Sequence, residues 1–172
     1  MAIVPDTKNW TWVLERECSE CGFDSSVTAA EEVPALLRAN AAAWPAVLGR
    51  DDVAVRPDDT TWSALEYAAH VRDVFRIFRV RLALMLENDG PEFANWDQDA
   101  TAVEERYNEQ DPAVVSAELT GAAEAFAAAI EAVPDDAWER TGFRSDGSYF
   151  TVDTLVRYFI HDPVHHLHDV RG

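Results

Sequence analysis

The sequence predicts an all-α protein, a four-helix bundle with a long crossover between the second and third helices. Apolar residues recur at spacings of three and four in four separate segments, which is the period of a helix with one buried face. Three of the segments begin at a recognisable N-cap, and no segment shows a convincing strand period. A polar stretch at residues 88–111 separates the second segment from the third. Because it is longer than an ordinary loop, we interpret it as a crossover that could also cover a site as a lid.

The length and composition of the chain predict a single folded domain. The chain has 172 residues, of which 48% are hydrophobic. This hydrophobic content argues against disorder, in spite of a formal net charge of −18. Residues 1–27 show no clear period and predict an N-terminal arm packed on the domain. Residues 28–172 predict the bundle itself.

The strongly acidic composition also indicates which partners to exclude. A chain of this charge repels phosphate groups, so we expect neither a nucleic acid nor a membrane surface as partner. The most apolar stretch, residues 122–133, is shorter than the roughly 20 residues that a spanning helix needs. The N-terminus lacks the basic and apolar regions of a signal peptide. Two cysteines are too few for a disulfide framework, so we expect a cytoplasmic protein.

The first two helices are predicted from their N-terminal signals. Residues 28–31 fit a capping box and open the first helix, which Pro34 and Pro45 interrupt. Residues 63–66 form a second capping box, followed by the clearest apolar stripe in the chain. The Asn-Asp-Gly-Pro sequence at residues 88–91 ends this second helix.

The second half of the chain gives three further predictions. A short helical piece is expected within the crossover, at residues 101–107. Asp111 and Pro112 fit the N-cap and first turn of the third helix, which ends before Pro134. Residues 144–150 form a tight turn, with a small hairpin as one interpretation, and the fourth helix then extends to Val170.

Histidine placement is the most informative irregularity of the sequence. His70 stands alone, whereas His161, His165, His166 and His168 lie close together near the C-terminus. At about 100° per residue, His165 lies about 40° and His168 about 20° from His161, so these three form one column. His166 lies about 140° away on another face. Its replacement is therefore expected to affect a metal bound by the column least.

Two imidazoles four residues apart on a helix can share a metal ion. His161 and His165 have this spacing, and a third ligand must then come from another helix, where His70 is the remaining candidate. Three neutral imidazoles suit Zn²⁺, Ni²⁺, Fe²⁺ or Cu²⁺ and leave coordination positions open, as in catalytic sites. Asp162 and Asp169 flank the C-terminal histidine cluster and could orient its rings.

Other residues are predicted to support this metal site. Glu66 and Asp73 lie about one turn on either side of His70, and His168 lies one turn beyond His165. All three are expected to orient ligands, with simple solvation as the alternative for His168. Trp62 and Tyr158 are expected to line the mouth of the pocket.

Two simpler interpretations stay open for the histidines. A histidine cluster near a helix C-terminus is favourable because of the helix dipole. His70 could equally be a core residue whose hydrogen bonds are satisfied.

The cysteine pair has CxxC spacing at Cys18 and Cys21, and three interpretations apply. The pair could form half of a zinc site, a redox pair, or two unrelated thiols with a packing role. Packing is the preferred interpretation. Among zinc sites, a Cys₂His₂ arrangement with His166 and His168 is conceivable, since neither is needed for the first metal.

Two segments of the sequence resemble a known family. The stretch WSALEYAAHVRD at residues 62–73 is similar to the second-helix motif of the DinB-like superfamily. The stretch IHDPVHHLHD at residues 160–169 is similar to its last-helix motif, in which two histidines are four residues apart. This superfamily includes the N-terminal domain of mycothiol-dependent maleylpyruvate isomerase. The resemblance covers residues 28–172.

The resemblance implies a four-helix bundle that holds a divalent metal with His70, His161 and His165. In members of known activity, the metal activates the thiol of a low-molecular-weight cofactor such as mycothiol or bacillithiol. The thiol is then transferred to an electrophilic substrate or assists its isomerisation. Pro163 between the two C-terminal ligands is a departure. The isomerase pattern has Glu in place of the first C-terminal histidine, so this chain fits the three-histidine branch better.

These observations lead to a functional hypothesis and a rival. The hypothesis is a metal-dependent enzyme with Zn, Ni or Fe, of thiol-transferase, isomerase or hydrolase type, acting on a small molecule. The rival is a non-catalytic bundle that binds a metal or small ligand for stability or sensing. An exposed aromatic face of the bundle would also favour a homodimer.

Overall fold

The computed structural model of the protein describes residue 3 and residues 9–172. Its helices are α1 (Val33–Leu48), α2 (Ala64–Glu87), α3 (Gln98–Glu104), α4 (Pro112–Glu131) and α5 (Val152–Asp169). Its strands are β1 (Glu92–Phe93), β2 (Thr141–Arg144) and β3 (Tyr149–Thr151). Short 3₁₀ turns occur at Trp10–Leu14, Ala30–Glu32 and Tyr107–Glu109. The four long helices form the bundle, which confirms the predicted fold class.

Three of the predicted helix starts are confirmed by hydrogen bonds. The Ser63 hydroxyl accepts from the Glu66 backbone N–H, and the Glu66 carboxylate accepts in return from the Ser63 N–H. Asp111 caps α4, and Thr151 caps α5. These caps satisfy backbone donors that the helix cannot satisfy itself, and so fix where each helix begins.

The first helix begins later than its predicted capping box. The chain first makes a 3₁₀ turn, and the Glu32 carboxylate accepts from the Ala29 N–H. Pro34 then occupies the first turn of α1, where a missing N–H has no cost. Pro45 lies inside α1 without ending it.

The four long helices share one core. α4 packs against α1 and α2, and α5 packs against both of these helices as well. Phe159 of α5 is fully buried, and its ring lies 4.6–5.9 Å from those of Phe75, Phe78 and Phe126. Burial of each such ring stabilises the fold by about 1.5–3 kcal/mol, so the core rigidly supports α5.

The crossover is held by a three-stranded sheet of order β1-β2-β3. β1 lies parallel to β2, and β2 pairs with β3 in an antiparallel hairpin, as one interpretation of the sequence proposed. Gly142 is required here because an added Cβ would lie 2.7 Å from Cγ of Met85. The two residues of β1 are too few to show a strand period, which explains why the sequence did not predict them.

The crossover is also tied to α2 through Asp73. The buried Tyr107 hydroxyl donates to the Asp73 carboxylate at 2.6 Å, and Arg72 donates to the same carboxylate. Tyr107→Phe is expected to lower the free energy of unfolding by about 2 kcal/mol, because a buried hydrogen bond to a charged group is lost. Urea denaturation would measure this. Tyr149→Phe, at a tyrosine that is 56% exposed, is the matched control and should change stability by less than about 0.5 kcal/mol. Equal effects of the two variants would contradict this role of Tyr107.

The N-terminal segment packs along α5. Residues 1, 2 and 4–8 of the predicted arm lie outside the described residues. In the part that is described, the Trp10–Leu14 turn lies against α5. The Arg157 guanidinium of α5 also donates to the backbone oxygens of Ser25 and Ser26 at 2.8–3.1 Å.

One expectation about membrane-spanning length is corrected by α4. This helix has 20 residues and is long and apolar enough to cross a membrane by length and composition alone. The sequence had indicated that no stretch reaches this length. In the bundle, one face of α4 packs into the core. Its exposed face carries Glu124 and Glu131, both of which bind Arg38 of α1.

Candidate metal centre

Helix α5 carries two i, i+4 pairs of polar ligands on adjacent faces. His161 and His165 form one pair, and Asp162 and His166 form the other, about 100° further round the helix. The structure places His70 of α2 against the second pair and the N-terminal cysteines against the first. Two separate clusters therefore lie side by side on one helix.

The cavity cluster consists of His70, Asp162 and His166, with one ligand atom from each lying within 4.8 Å of the others. His70 Nε2 lies 3.4 Å from Asp162 Oδ1, and His166 Nε2 lies 3.7 Å from Asp162 Oδ2. The His70 and His166 rings have centroids 4.9 Å apart. These are the donor types that Zn²⁺ and Fe²⁺ take in proteins.

Three polar atoms of the cavity cluster are buried without a hydrogen-bond partner in the described part of the chain. They are Nδ1 and Nε2 of His70 and Oδ1 of Asp162. His70 is 0% exposed, and its ring lies between those of Trp62 and Trp96, with centroids 5.3 and 5.2 Å away. Because an unsatisfied buried polar group is costly, such a concentration needs a physical explanation. A cation held between Nε2 of His70 and Oδ1 of Asp162 would satisfy both of these atoms.

Electrostatics in the cavity cluster favour an ionised carboxylate. Burial alone would raise the pKa of Asp162, but the imidazoles of His166 and His70 outweigh it and lower the pKa to about 2. Asp169 binds the other nitrogen of His166, with 3.0 Å between Nδ1 and Oδ2. A carboxylate in this position orients a ligating histidine and turns its Nε2 toward the metal.

The cavity cluster lies at a cavity of about 780 Å³, within the size range of small-molecule sites. Asp162 and His166 line the cavity, and His70 contacts them from behind. The predicted pocket residues Trp62 and Tyr158 both line it.

Two arginines, Arg81 and Arg144, line this cavity among its six acidic residues. Arg144 is paired with Asp146 and donates to the Tyr158 hydroxyl. Arg81 is 6% exposed and donates to the Ala94 backbone oxygen at 3.0 Å. Burial and the neighbouring Arg144 lower the pKa of Arg81 to about 10, so it is still charged at neutral pH. A buried guanidinium at a cavity wall is suited to bind an anionic group.

The cysteine cluster consists of Cys18, Cys21, His161 and His165, again with ligand atoms within 4.8 Å of one another. Cys18 Sγ lies 3.6 Å from His165 Nδ1, and Cys21 Sγ lies 3.7 Å from His161 Nε2. Burial lowers the pKa of His161 to about 4 and also lowers that of His165. Both imidazoles are therefore neutral at pH 7.

The predicted trio of His70, His161 and His165 is divided between these two clusters. The physical reason is the rotation of α5: the face turned toward His70 carries Asp162 and His166. His166 therefore lies within one of the two candidate clusters, whereas the sequence-based expectation placed it on another face.

The cysteines also lie against different histidines from those of the Cys₂His₂ site that the sequence suggested. His161 and His165 face Cys18 and Cys21, whereas the alternative had used His166 and His168. His168 is exposed near the end of α5.

Glu66 and Asp73 have structural partners in place of the predicted contact with a ligand histidine. Glu66 accepts from Arg56 and from the Ser63 backbone, which fixes the start of α2. Asp73 accepts hydrogen bonds from Arg72 and from Tyr107 of the crossover.

Sequence reasoning missed Asp162 as a candidate ligand, because it placed Asp162 with Asp169 among the carboxylates that could orient the C-terminal histidines. A signal was present, because Asp162 and His166 have the same i, i+4 spacing as the chosen pair. Arg81 was also missed, since its position on α2 indicates nothing about a cavity.

The neutral histidines of the metal-free protein predict a loss of stability in acid. The unfolded chain would protonate His161 near its ordinary pKa of 6.5, whereas the folded chain does so only near 4. The contribution of neutral His161 to the free energy of unfolding is therefore fully present above about pH 6.5. It falls as the pH drops toward 4, and the loss at pH 5 is about 2 kcal/mol. Urea denaturation in chelator at pH 7 and pH 5 would measure it. His161→Gln should reduce the pH dependence by this amount, and an unchanged dependence would refute this cause.

Comparison with known proteins agrees with the two-motif resemblance. The sequence profile of the DinB superfamily matches residues 35–170. The chain belongs to the DinB superfamily. A search of curated proteins found no significant match. Among solved structures, YfiT from Bacillus subtilis is described as a probable metal-dependent hydrolase with an unusual four-helix bundle topology. It is 21% identical with a TM-score of 0.64, and the match covers 92% of this chain and 81% of that one. At this identity the similarity shows the fold alone.

Proposed function

We propose that the cavity cluster binds a divalent metal ion, and that this DinB-superfamily protein is a metal-dependent enzyme acting on a small anionic molecule. One observation carries the proposal. Buried ligand atoms of His70 and Asp162 lie 3.4 Å apart and have no hydrogen-bond partner among the described residues, beside His166 and at the wall of a cavity large enough for a substrate.

The donor set fits a catalytic metal. Two imidazoles and one carboxylate are a common protein set for Zn²⁺, and the same donors suit Fe²⁺ and Ni²⁺. Three protein ligands leave at least one coordination position for a molecule in the cavity. A divalent ion bound here would supply Lewis acidity, which lowers the pKa of a thiol or water that it binds.

The surrounding residues have separate tasks in this proposal. Asp169 holds His166 in one orientation through the 3.0 Å contact at Nδ1. Trp62 and Trp96 cover His70 and keep water from that side of the cluster. Arg81, whose charge is buried, positions an anionic group of the substrate within the cavity.

Among metal-dependent reactions, the order of the ligands favours thiol chemistry. Asp162 followed by His166 is an acidic residue and a histidine four apart. This is similar to the isomerase pattern, in which Glu replaces the first C-terminal histidine. We therefore propose that a low-molecular-weight thiol, of mycothiol or bacillithiol type, is the co-substrate. The reaction is transfer of this thiol to an electrophile that carries an anionic group, or isomerisation of such an electrophile.

A direct assay tests this reaction class. Zinc-, nickel- and iron-loaded protein is incubated with each thiol and with electrophiles that differ only in having a carboxylate or its methyl ester. Liquid chromatography coupled to mass spectrometry should detect metal-dependent conjugation or isomerisation, with the carboxylate preferred. Asp162→Asn should abolish the activity, and His168→Ala should retain it. Ester hydrolysis without any thiol would contradict the thiol chemistry, and metal binding without turnover would favour the non-catalytic alternative.

A further inference from the structure

The cysteine cluster joins the N-terminal segment to α5. The proposed reaction uses none of its four side chains as ligands, although His161 and His165 line the same cavity. We propose that Cys18, Cys21, His161 and His165 bind a second metal ion, a structural Zn²⁺, which fixes residues 9–27 on the bundle. Four protein ligands of this kind make a closed site with no position left for a substrate. The proposal is independent of the chemistry proposed for the cavity cluster.

The distances across the cysteine cluster match a tetrahedral zinc site. Zn–S bonds of about 2.3 Å and Zn–N bonds of about 2.0–2.1 Å place the sulfur and nitrogen of a tetrahedron about 3.6 Å apart. The separations are 3.6 Å between Cys18 and His165 and 3.7 Å between Cys21 and His161. Both have the length expected for two ligands of one zinc ion.

The loop that carries the cysteines has a closed conformation. The Gly22 N–H donates to the Cys18 backbone oxygen at 2.8 Å, and the Cys18 N–H donates to the Phe23 oxygen at 2.9 Å. Gly22 has a φ of +74°, a left-handed conformation that glycine adopts without strain. These two bonds close the CxxC loop on itself, so both thiols are presented to α5 together.

The two ring nitrogens of His165 have the surroundings expected for a zinc-bound histidine. Nδ1 of His165 faces Cys18, while Nε2 lies 3.4 Å from Glu20 and 3.7 Å from Asp169. Zinc-bound histidines usually donate their second N–H to a carboxylate or a carbonyl oxygen. Nδ1 of His165 is thus placed to bind the metal, and Nε2 is placed to donate its hydrogen to a carboxylate.

A redox role for the CxxC pair fits the structure less well. Cys18 is 1% exposed, whereas redox-active cysteines are partially exposed. Burial raises the pKa of the Cys21 thiol to about 11, so this thiol is not activated in the metal-free protein. In addition, each sulfur faces an imidazole of α5, which a redox pair does not require.

A metal in the cysteine cluster would also shape the cavity. The Trp10 ring lies 5.5 Å from both His161 and His165, and Trp10 lines the cavity. Fixing residues 9–27 on α5 therefore fixes one aromatic wall of the site. Removal of this metal should loosen that wall while leaving the cavity cluster intact.

Cobalt substitution tests the proposal on the intact protein. Co²⁺ bound by two thiolates and two imidazoles should give intense sulfur-to-cobalt charge-transfer absorption in the near ultraviolet and visible bands typical of tetrahedral Co²⁺. The Cys18→Ser/Cys21→Ser double variant should lose this absorption and one equivalent of metal per chain. The matched variant His70→Ala should keep the absorption. Wild-type protein without thiolate charge transfer, or a double variant with unchanged metal content, would overturn the proposal.

A second measurement does not depend on the variants folding. Zinc-loaded wild-type protein is titrated with a mercurial that reacts with thiols, while a chromogenic chelator reports released zinc. One equivalent of zinc should be released as two thiols react, and protease cleavage within residues 9–27 should become at least tenfold faster. Release of zinc without thiol reaction, or a Cys18–Cys21 disulfide in protein purified without oxygen, would overturn the proposal.

Discussion

Replacing His166 with alanine is expected to weaken metal binding at the cavity cluster by more than 100-fold, since a direct ligand is lost. Asp169→Asn, which changes the group that orients His166, should weaken it by about 10–100-fold. His168→Ala is the matched control on the same helix and should have no effect, because this side chain is exposed. Competition with chelators of known affinity would measure all three variants.

The same titration distinguishes the two clusters on α5. His161→Ala should leave binding at the cavity cluster within about threefold of wild type, while weakening metal binding at the cysteine cluster by more than 100-fold because one of its four ligands is lost. If His161→Ala instead empties the cavity site and His166→Ala does not, the ligand set is the trio of His70, His161 and His165.

Arg81→Met is expected to lower kcat/KM for an anionic substrate by about 100-fold. A hydrogen bond to a charged group contributes about 1.5–3 kcal/mol, and each 1.4 kcal/mol is a tenfold change. With the methyl ester of the same substrate, the variant and wild type should differ by less than about threefold. Arg79→Met, at an exposed arginine on the same helix, is the control and should leave both substrates unaffected. Equal losses on acid and ester would show that Arg81 supports the fold and does not bind the anion.

Much of the fold could be predicted because its signals are local. Ser63, Asp111 and Thr151 each bind backbone donors within a few residues, so a capping pattern in the sequence is nearly sufficient. The β1 strand could not be predicted, because its two residues are held by β2, about 50 residues away in sequence.

The site was predicted only in part for a related reason. Helical spacing identifies His161/His165 and Asp162/His166 as equally good pairs. The choice between them depends on how α5 is rotated about its axis relative to α2. The spacing of residues in the sequence does not determine this rotation. The contact of Cys18 with His165 joins residues 147 positions apart, and only the path of the N-terminal segment along α5 produces it.

The central claim is that His70, Asp162 and His166 hold the cavity metal, and anomalous diffraction tests it most directly. Crystals of zinc-loaded protein would be measured on both sides of the zinc absorption edge. We predict a difference peak within about 2.3 Å of one ligand atom from each of these three residues, distinct from any peak at Cys18 and Cys21. A peak shared by His70, His161 and His165, or no peak in the cavity of fully zinc-loaded protein, would contradict the account.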